Sequence, residues 1–87
     1  MQIRTATDVG ALVRHTRRQQ GISQEELAAR AGVTRRWVSA LESGKARAEL
    51  ALVLATLDAL GLELIAEEAP TGSAVDLDAV LARMDEN

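Results

Sequence analysis

Two adjacent arginines, Arg35 and Arg36, begin a short segment in which polar and apolar side chains fall on opposite sides. If residues 35–42 form a helix with Val38 and Leu41 facing inward, the turn of 100° per residue fixes which side chains face outward. The outward side chains are then those of Arg35, Arg36, Ser39 and Ala40. The segment therefore predicts a helix with one apolar side and one side able to form hydrogen bonds.

These outward side chains suit the edges of base pairs. Arginine donates two hydrogen bonds to O6 and N7 of guanine, serine pairs with several base edges, and alanine leaves room for the thymine methyl group. The alternative is that Arg35 and Arg36 are solvated surface charges. We favour DNA reading because the two arginines open a capped helix directly after a turn. Trp37, at the edge between the two sides, either flanks the core or lies against sugar and base.

The elements before this helix are predicted from caps and a glycine. Ser23 and Glu26 have the spacing of a capping box, which starts a second helix that runs to about Arg30. Gly32 suits the left-handed conformation that ends a helix, and Thr34 can cap the next one. A capped helix, a three-residue break and another capped helix are the layout of a helix-turn-helix.

Two polar side chains beside this layout are placed to hold phosphates. Gln24 stands at the N-terminus of the second helix, and Lys45 lies in the loop after the third. We predict that these contacts position the protein on the duplex without reading its sequence.

Two more helices and a strand complete the predicted domain, residues 1–68. Apolar spacing predicts a first helix over residues 7–20 and a fourth helix from about Glu49 to Leu60, with its leucine-rich stripe in the core. Residues 62–67 alternate in polarity and predict a strand that pairs with the same segment of a second copy. A frayed continuation of the fourth helix is the alternative. The predicted dimer contacts are Leu62, Leu64 and Ile65.

Residues 69–87 predict a linker and an acidic amphipathic tail. The linker contains the only proline of the chain. The tail has an apolar stripe made of Leu77, Val80, Leu81 and Met84. A helix this short is marginal in water unless its apolar side docks on a partner or on the protein itself.

Composition narrows the function classes. The chain has 87 residues, no cysteine and one histidine, which excludes disulfides and a thiolate metal site and predicts no metal and no cofactor. It has no glycine-rich phosphate loop and too little length to enclose a pocket, so we predict no enzyme. The longest apolar stretch is too short to span a membrane, and we predict a cytoplasmic protein.

Charge is divided between the two halves of the chain. Residues 1–47 carry nine Arg and Lys against four acidic residues, a net charge of +5, whereas residues 48–87 carry one against nine, a net charge of −8. This division predicts a basic half that binds an anion and an acidic half that faces something else.

Residues 21–45, GISQEELAARAGVTRRWVSALESGK, resemble the Xre/Cro helix-turn-helix family, and the likeness covers about residues 7–61. The resemblance implies a mostly α, four-to-five-helix lambda-repressor-like DNA-binding domain. The C-terminal β-strand that pairs across a dimer and the short helical tail are predicted from the residue pattern, because the likeness fades after about Glu68. The resemblance also implies a salt bridge between Arg17 and Glu42. The positions that it implies in DNA contact are Gln24, Thr34, Arg35, Arg36, Ser39 and Lys45, to which we add Trp37.

Two further stretches are similar to the HipB branch, the antitoxins of HipA-type kinases: RRW at 35–37, and RAEL at 47–50 leading to LDALGLEL at 57–64. The sequence therefore predicts a homodimeric repressor that binds a pseudo-palindromic operator in double-stranded DNA. The resemblance implies that its other partner is a HipA-like kinase toxin. The alternatives are a free-standing Xre-type regulator and a protein-interaction module that binds no DNA.

Overall fold

The computed structural model describes residues 2–45 and 47–69, which contain four helices. They are α1 (Ala6–Gln19), α2 (Gln24–Ala31), α3 (Arg35–Glu42) and α4 (Leu50–Ala59). Helix α3 packs against α1 and α2, and α4 packs against α2. The mostly helical fold predicted from the sequence is confirmed for this part of the chain.

The starts of α1, α2 and α3 are fixed by side-chain caps, whereas Glu49 forms no side-chain cap at α4. Thr5 and Asp8 form a reciprocal capping box at α1, and Thr34 Oγ1 accepts a hydrogen bond of 3.0 Å from the Trp37 backbone N–H. The box predicted for Ser23 and Glu26 is wrong in one half: Ser23 Oγ caps the Glu26 backbone N–H at 3.0 Å, but no return bond forms. The Glu26 carboxylate lies 4.0 Å from Arg30 instead, one turn later on α2.

The turn between α2 and α3 depends on Gly32. Its φ of +72° lies in the left-handed region, where a Cβ is disfavoured, and its backbone N–H closes α2 on the Ala28 carbonyl. The break thus orients α3 relative to α2.

The core lies among all four helices and the turn before α2. The buried apolar residues are Val13, Ile22, Leu27, Ala28, Val38, Leu41, Leu57 and Leu60. On α4 the predicted core stripe is partly wrong, because Leu50 and Leu54 are exposed. Helix α4 packs on the rest of the domain through one side only. Its apolar residues cover a wider part of the helix surface than this contact buries.

Residues 62–69 form neither a helix nor a strand in the described part of this single chain. Helix α4 ends at Ala59, and Gly61 has a φ of +75°, so the alternative of a continued helix is wrong. Leu62 packs against the core, whereas Leu64 and Ile65 are 56% and 70% exposed. The strand that pairs across a dimer stays a prediction. The tail stripe, residues 77–84, lies outside the described residues, as does all of the linker except Ala69.

None of the described helices is both long and apolar enough to cross a membrane.

Candidate nucleic-acid interface

Helix α3 has one buried and one open side. Val38 is fully buried and Leu41 almost so, and these two residues hold the helix against α1 and α2. Arg35, Arg36 and Ser39 are exposed, as the helical turn predicts. Ala40 is half-buried on the same side. The side chains predicted to face outward therefore share one surface.

The open side of α3 forms the floor of a shallow cleft, here called the recognition cleft. Its lining residues are Arg35, Arg36, Ser39, Ala40, Ser43 and Lys45. Lys45 lies three residues after the end of α3, and its ammonium group adds a third cation to those of the two arginines. Among residues 2–45 and 47–69, no acidic side chain lines this cleft, so its lining cations attract anions.

A second cleft, here called the flanking cleft, lies between α1, α2 and α3. It is lined by Arg14, Arg17, Arg18, Gln24, Ser39, Glu42 and Ser43. Ser39 and Ser43 line both clefts, so the two are continuous along α3. Gln24, which starts α2, therefore lies beside the recognition helix.

Arg17 and Glu42 tie α1 to α3. Arg17 Nε and Nη2 donate to the two carboxylate oxygens of Glu42 at 2.7 and 3.0 Å, and Arg17 Nη1 donates to the Ile22 carbonyl at 2.9 Å. The side chains are only 11% and 4% exposed. Such a bidentate pair fixes the relative orientation of the two helices as well as contributing energy.

The pair also shifts the ionisation of both groups. Burial on its own would raise the pKa of the Glu42 carboxyl, but hydrogen bonds from Arg17 and Gln24 and the charges of Arg17 and Arg14 lower it overall. The hydrogen bond to Glu42 raises the pKa of Arg17. Glu42, the acid of the flanking cleft, is therefore ionised and neutralised near neutral pH.

Three predicted contact residues also have structural roles. Gln24 Nε2 donates to Glu42 Oε1 at 3.2 Å, which orients the amide and leaves its second N–H and its oxygen available. Thr34 caps α3, so its hydroxyl hydrogen is free to be donated. Trp37 is half-buried and packs against the core, which is the flanking position that the sequence left open.

The sequence-based reasoning missed Arg14 and Arg18. Both are exposed, and both line the flanking cleft with Gln24. Their spacing of four residues along α1 places them on one side of that helix, which was a visible signal. What the spacing alone does not show is that this side faces the recognition helix.

No cluster of three or more His, Cys, Asp or Glu with the geometry of a metal site occurs within residues 2–45 and 47–69.

Replacing Glu42 with glutamine is expected to destabilise the fold at neutral pH by about 2 kcal/mol, because Arg17 would lose its charged partner while remaining largely buried. The lowered pKa of Glu42 means that its contribution is present above the ordinary value near 4.5 and is lost as the pH falls through the folded-state pKa. Urea midpoints at pH 7 and pH 3 should therefore differ more for the wild type than for Glu42→Gln.

Glu26→Gln is the matched control, since the Glu26 carboxylate is exposed and 4.0 Å from Arg30. It should change the midpoint little at either pH. An equal decrease in the urea midpoint for Glu42→Gln and Glu26→Gln would contradict a structural role for the Arg17–Glu42 pair.

Comparison with known proteins matches residues 8–69 to the family described as "Helix-turn-helix domain". The chain is 44% identical over 63 residues to the uncharacterized HTH-type transcriptional regulator y4mF of Sinorhizobium fredii, covering 72% of this chain and 83% of that protein. The expected likeness to the Xre/Cro family is confirmed, and the matched residues include both clefts.

Solved structures show the same fold. The restriction-modification controller protein C.AhdI from Aeromonas hydrophila superposes with a TM-score of 0.64 at 33% identity, over 67% of this chain and 88% of that one. A chain of the HipA-HipB-O2-O3 complex superposes with a TM-score of 0.74 at 23% identity, over 80% and 99%. The chain therefore belongs to the helix-turn-helix family of transcriptional regulators.

Proposed function

We propose that this protein is a homodimeric repressor that binds a pseudo-palindromic DNA site through the recognition cleft. The observation that carries the proposal is the exposed basic surface on and just after α3. Arg35, Arg36 and Lys45 line a cleft to which the described residues contribute no acidic side chain. Arginines at the start of a recognition helix reach base edges in the major groove, while a lysine in the following loop suits a phosphate. The base-reading pair is Arg35 and Arg36, assisted by Ser39.

The overall net charge of −3 does not oppose this function. In the part of the chain that the structure describes, Glu42 is the only acidic residue lining the two clefts, and Arg17 neutralises it. The electrostatic potential at this surface is therefore positive and is determined by the remaining cations, which attract phosphate groups. Negative charge is concentrated after residue 47, away in sequence from α3.

A dimer would place two recognition helices on one face of the duplex, about 34 Å apart for half-sites separated by one helical turn. Leu64 and Ile65 support pairing through residues 62–67, because two large apolar side chains in one short segment are mostly exposed. Leu50 and Leu54 on α4 add exposed apolar surface to the same C-terminal half. Leu62 contributes to the core of its own chain and anchors the segment.

Replacing Leu64 and Ile65 with glutamate is expected to give a folded monomer at micromolar concentration, because like charges would oppose each other across the two-fold axis. Light scattering and circular dichroism measure the two properties separately. The control is Ala66→Glu together with Glu67→Ala, which keeps the net charge and spares the large apolar side chains. A Leu64→Glu/Ile65→Glu protein that remains a dimer would contradict pairing through this segment.

Selection from a pool of randomised duplexes tests DNA recognition. At low salt, where phosphate contacts are strongest, the protein should enrich two inverted half-sites with centres one helical turn apart. Enrichment of a single half-site would argue against the dimer. An absence of any binding at low salt would contradict DNA binding and favour a protein-interaction module.

We further propose that the chain is the antitoxin of a HipA-like kinase. The C-terminal half, net −8 over residues 48–87, is opposite in charge to the basic N-terminal half and differs from it in the partner that it would attract. The fold likeness to a chain of the HipA-HipB-O2-O3 complex supports this proposal, whereas the likeness to a restriction-modification controller supports a free-standing regulator. Mass spectrometry of the protein purified from its host distinguishes the two functions. A kinase that copurifies in stoichiometric amount would establish the antitoxin, whereas a protein that purifies alone would favour the free-standing regulator.

A further inference from the structure

Arg14 and Arg18 form an exposed basic pair on α1 that the recognition helix does not account for. They lie one turn apart, and neither takes part in an ion pair with any described residue. Arg17, between them in sequence, faces inward and is bound to Glu42. The three neighbouring arginines therefore divide into one structural cation and two that remain available.

The position of the pair follows from how α1 meets α3. Gly10 and Arg17 lie on the side of α1 that contacts α3, and the next row around the helix holds Arg14 and Arg18. This row borders the flanking cleft, together with Gln24. The basic pair therefore stands beside α3 rather than on the far side of the domain.

The two continuous clefts place cations on both sides of Ser39 and Ser43. Lys45 lines the recognition cleft but not the flanking cleft, and Arg14 and Arg18 line the flanking cleft but not the recognition cleft. A major groove about 12 Å wide is bordered by two phosphate backbones. A helix inserted in it therefore has a backbone on each side, and each backbone meets one of these groups of cations.

We propose that Arg14 and Arg18 bind the phosphodiester backbone on the α1 side of the groove. This backbone lies opposite the DNA strand whose phosphates Lys45 contacts. The inference rests on the proposed DNA-binding function and adds a second phosphate-holding element to it. The contacts are with phosphate and are independent of base sequence, so they contribute affinity and orientation but no preference among sites. Gln24, held by Glu42 in the same cleft, joins the same backbone contact.

The test is the salt dependence of duplex binding by Arg14→Gln, Arg18→Gln and the double variant. Each phosphate contact contributes about 0.9 to the slope of log K against log salt concentration. Each single variant should lower the magnitude of the slope by about 0.9 and the double variant by about 1.8. Binding to a selected site and to a scrambled duplex should weaken by the same factor, so their ratio stays unchanged.

Arg30→Gln is the matched control, because Arg30 is an exposed arginine of α2 that lines neither cleft. It changes the net charge equally and should leave the slope unchanged. Thermal unfolding followed by circular dichroism should show all variants folded, since the substituted side chains are exposed. Wild-type slopes in the Arg14 and Arg18 variants would overturn the inference while leaving DNA binding intact. A wild type that binds no duplex at low salt would overturn the proposed function, and this inference with it.

Discussion

Replacing Arg35 and Arg36 together with alanine is expected to abolish the preference for the selected site over a scrambled duplex. Each arginine that grips a guanine with two hydrogen bonds contributes about 1–3 kcal/mol of discrimination. Losing both removes about 2–6 kcal/mol and should therefore reduce the specificity ratio by about 30- to 20,000-fold. Fluorescence anisotropy with the two duplexes at one salt concentration measures that ratio directly.

Arg35→Lys with Arg36→Lys is the informative control, because it keeps the charge and removes the planar group that makes two parallel hydrogen bonds. This variant should retain binding to scrambled DNA while losing most of the preference. If the alanine variant still protects the selected site from cleavage, the assignment of Arg35 and Arg36 as base readers is wrong.

Gly10→Ala is expected to lower the stability of the domain by about 3 kcal/mol. A Cβ on Gly10 would overlap the Leu41 carbonyl oxygen and lie 3.0 Å from the Glu42 carbonyl oxygen, so α1 and α3 would have to separate. Backbone atoms cannot rotate away as a side chain can, so the helices themselves would move. This movement would also disturb the Arg17–Glu42 pair, which joins them. For a domain of this size the melting temperature should fall by about 12–24 °C, as measured by circular dichroism.

The sign of the stability change in Gly10→Ala distinguishes a close contact between helices from an unobstructed helix position. In an unobstructed helix interior, alanine is more favourable than glycine by about 1 kcal/mol. Ala11→Gly, at the exposed neighbouring position, should therefore destabilise by about that amount and serves as the control. A Gly10→Ala protein that melts at or above the wild-type temperature would contradict the close contact between α1 and α3.

Local signals made much of the fold predictable. The spacing of apolar residues along the four helices, the caps at Thr34 and Ser23, and the left-handed Gly32 are properties of short stretches. The four helices and the turn that these signals predict are present. The open side of α3 also followed from the sequence, because two buried residues fix the rotation of a helix.

Features that depend on which helices meet were not predictable from the residues alone. Arg17 and Glu42 are 25 positions apart, and only their likeness to family positions suggested a pair. Leu50 and Leu54 fit a core stripe, yet the packing of α4 leaves them exposed. Arg14 became a candidate phosphate ligand only once α1 was seen beside Ser39 and Ser43.

The predicted strand over residues 62–67 likewise depends on a contact that the sequence alone does not reveal. A strand is stabilised by hydrogen bonds to a neighbouring strand, and within the described residues of one chain nothing pairs with residues 62–69. Alternation of polarity describes how such a segment would fit a sheet but does not supply its partner.

The most direct test of the central claim is a titration of the isotopically labelled protein with the selected duplex, followed by the backbone amide NMR signals. DNA binding through the two clefts predicts that the largest shift changes occur over residues 34–45 and at Arg14, Arg18 and Gln24. Amides of α4, whose residues line neither cleft, should change least. The largest changes over residues 50–59, with residues 35–43 unaffected, would contradict the claim that α3 is the DNA-binding helix.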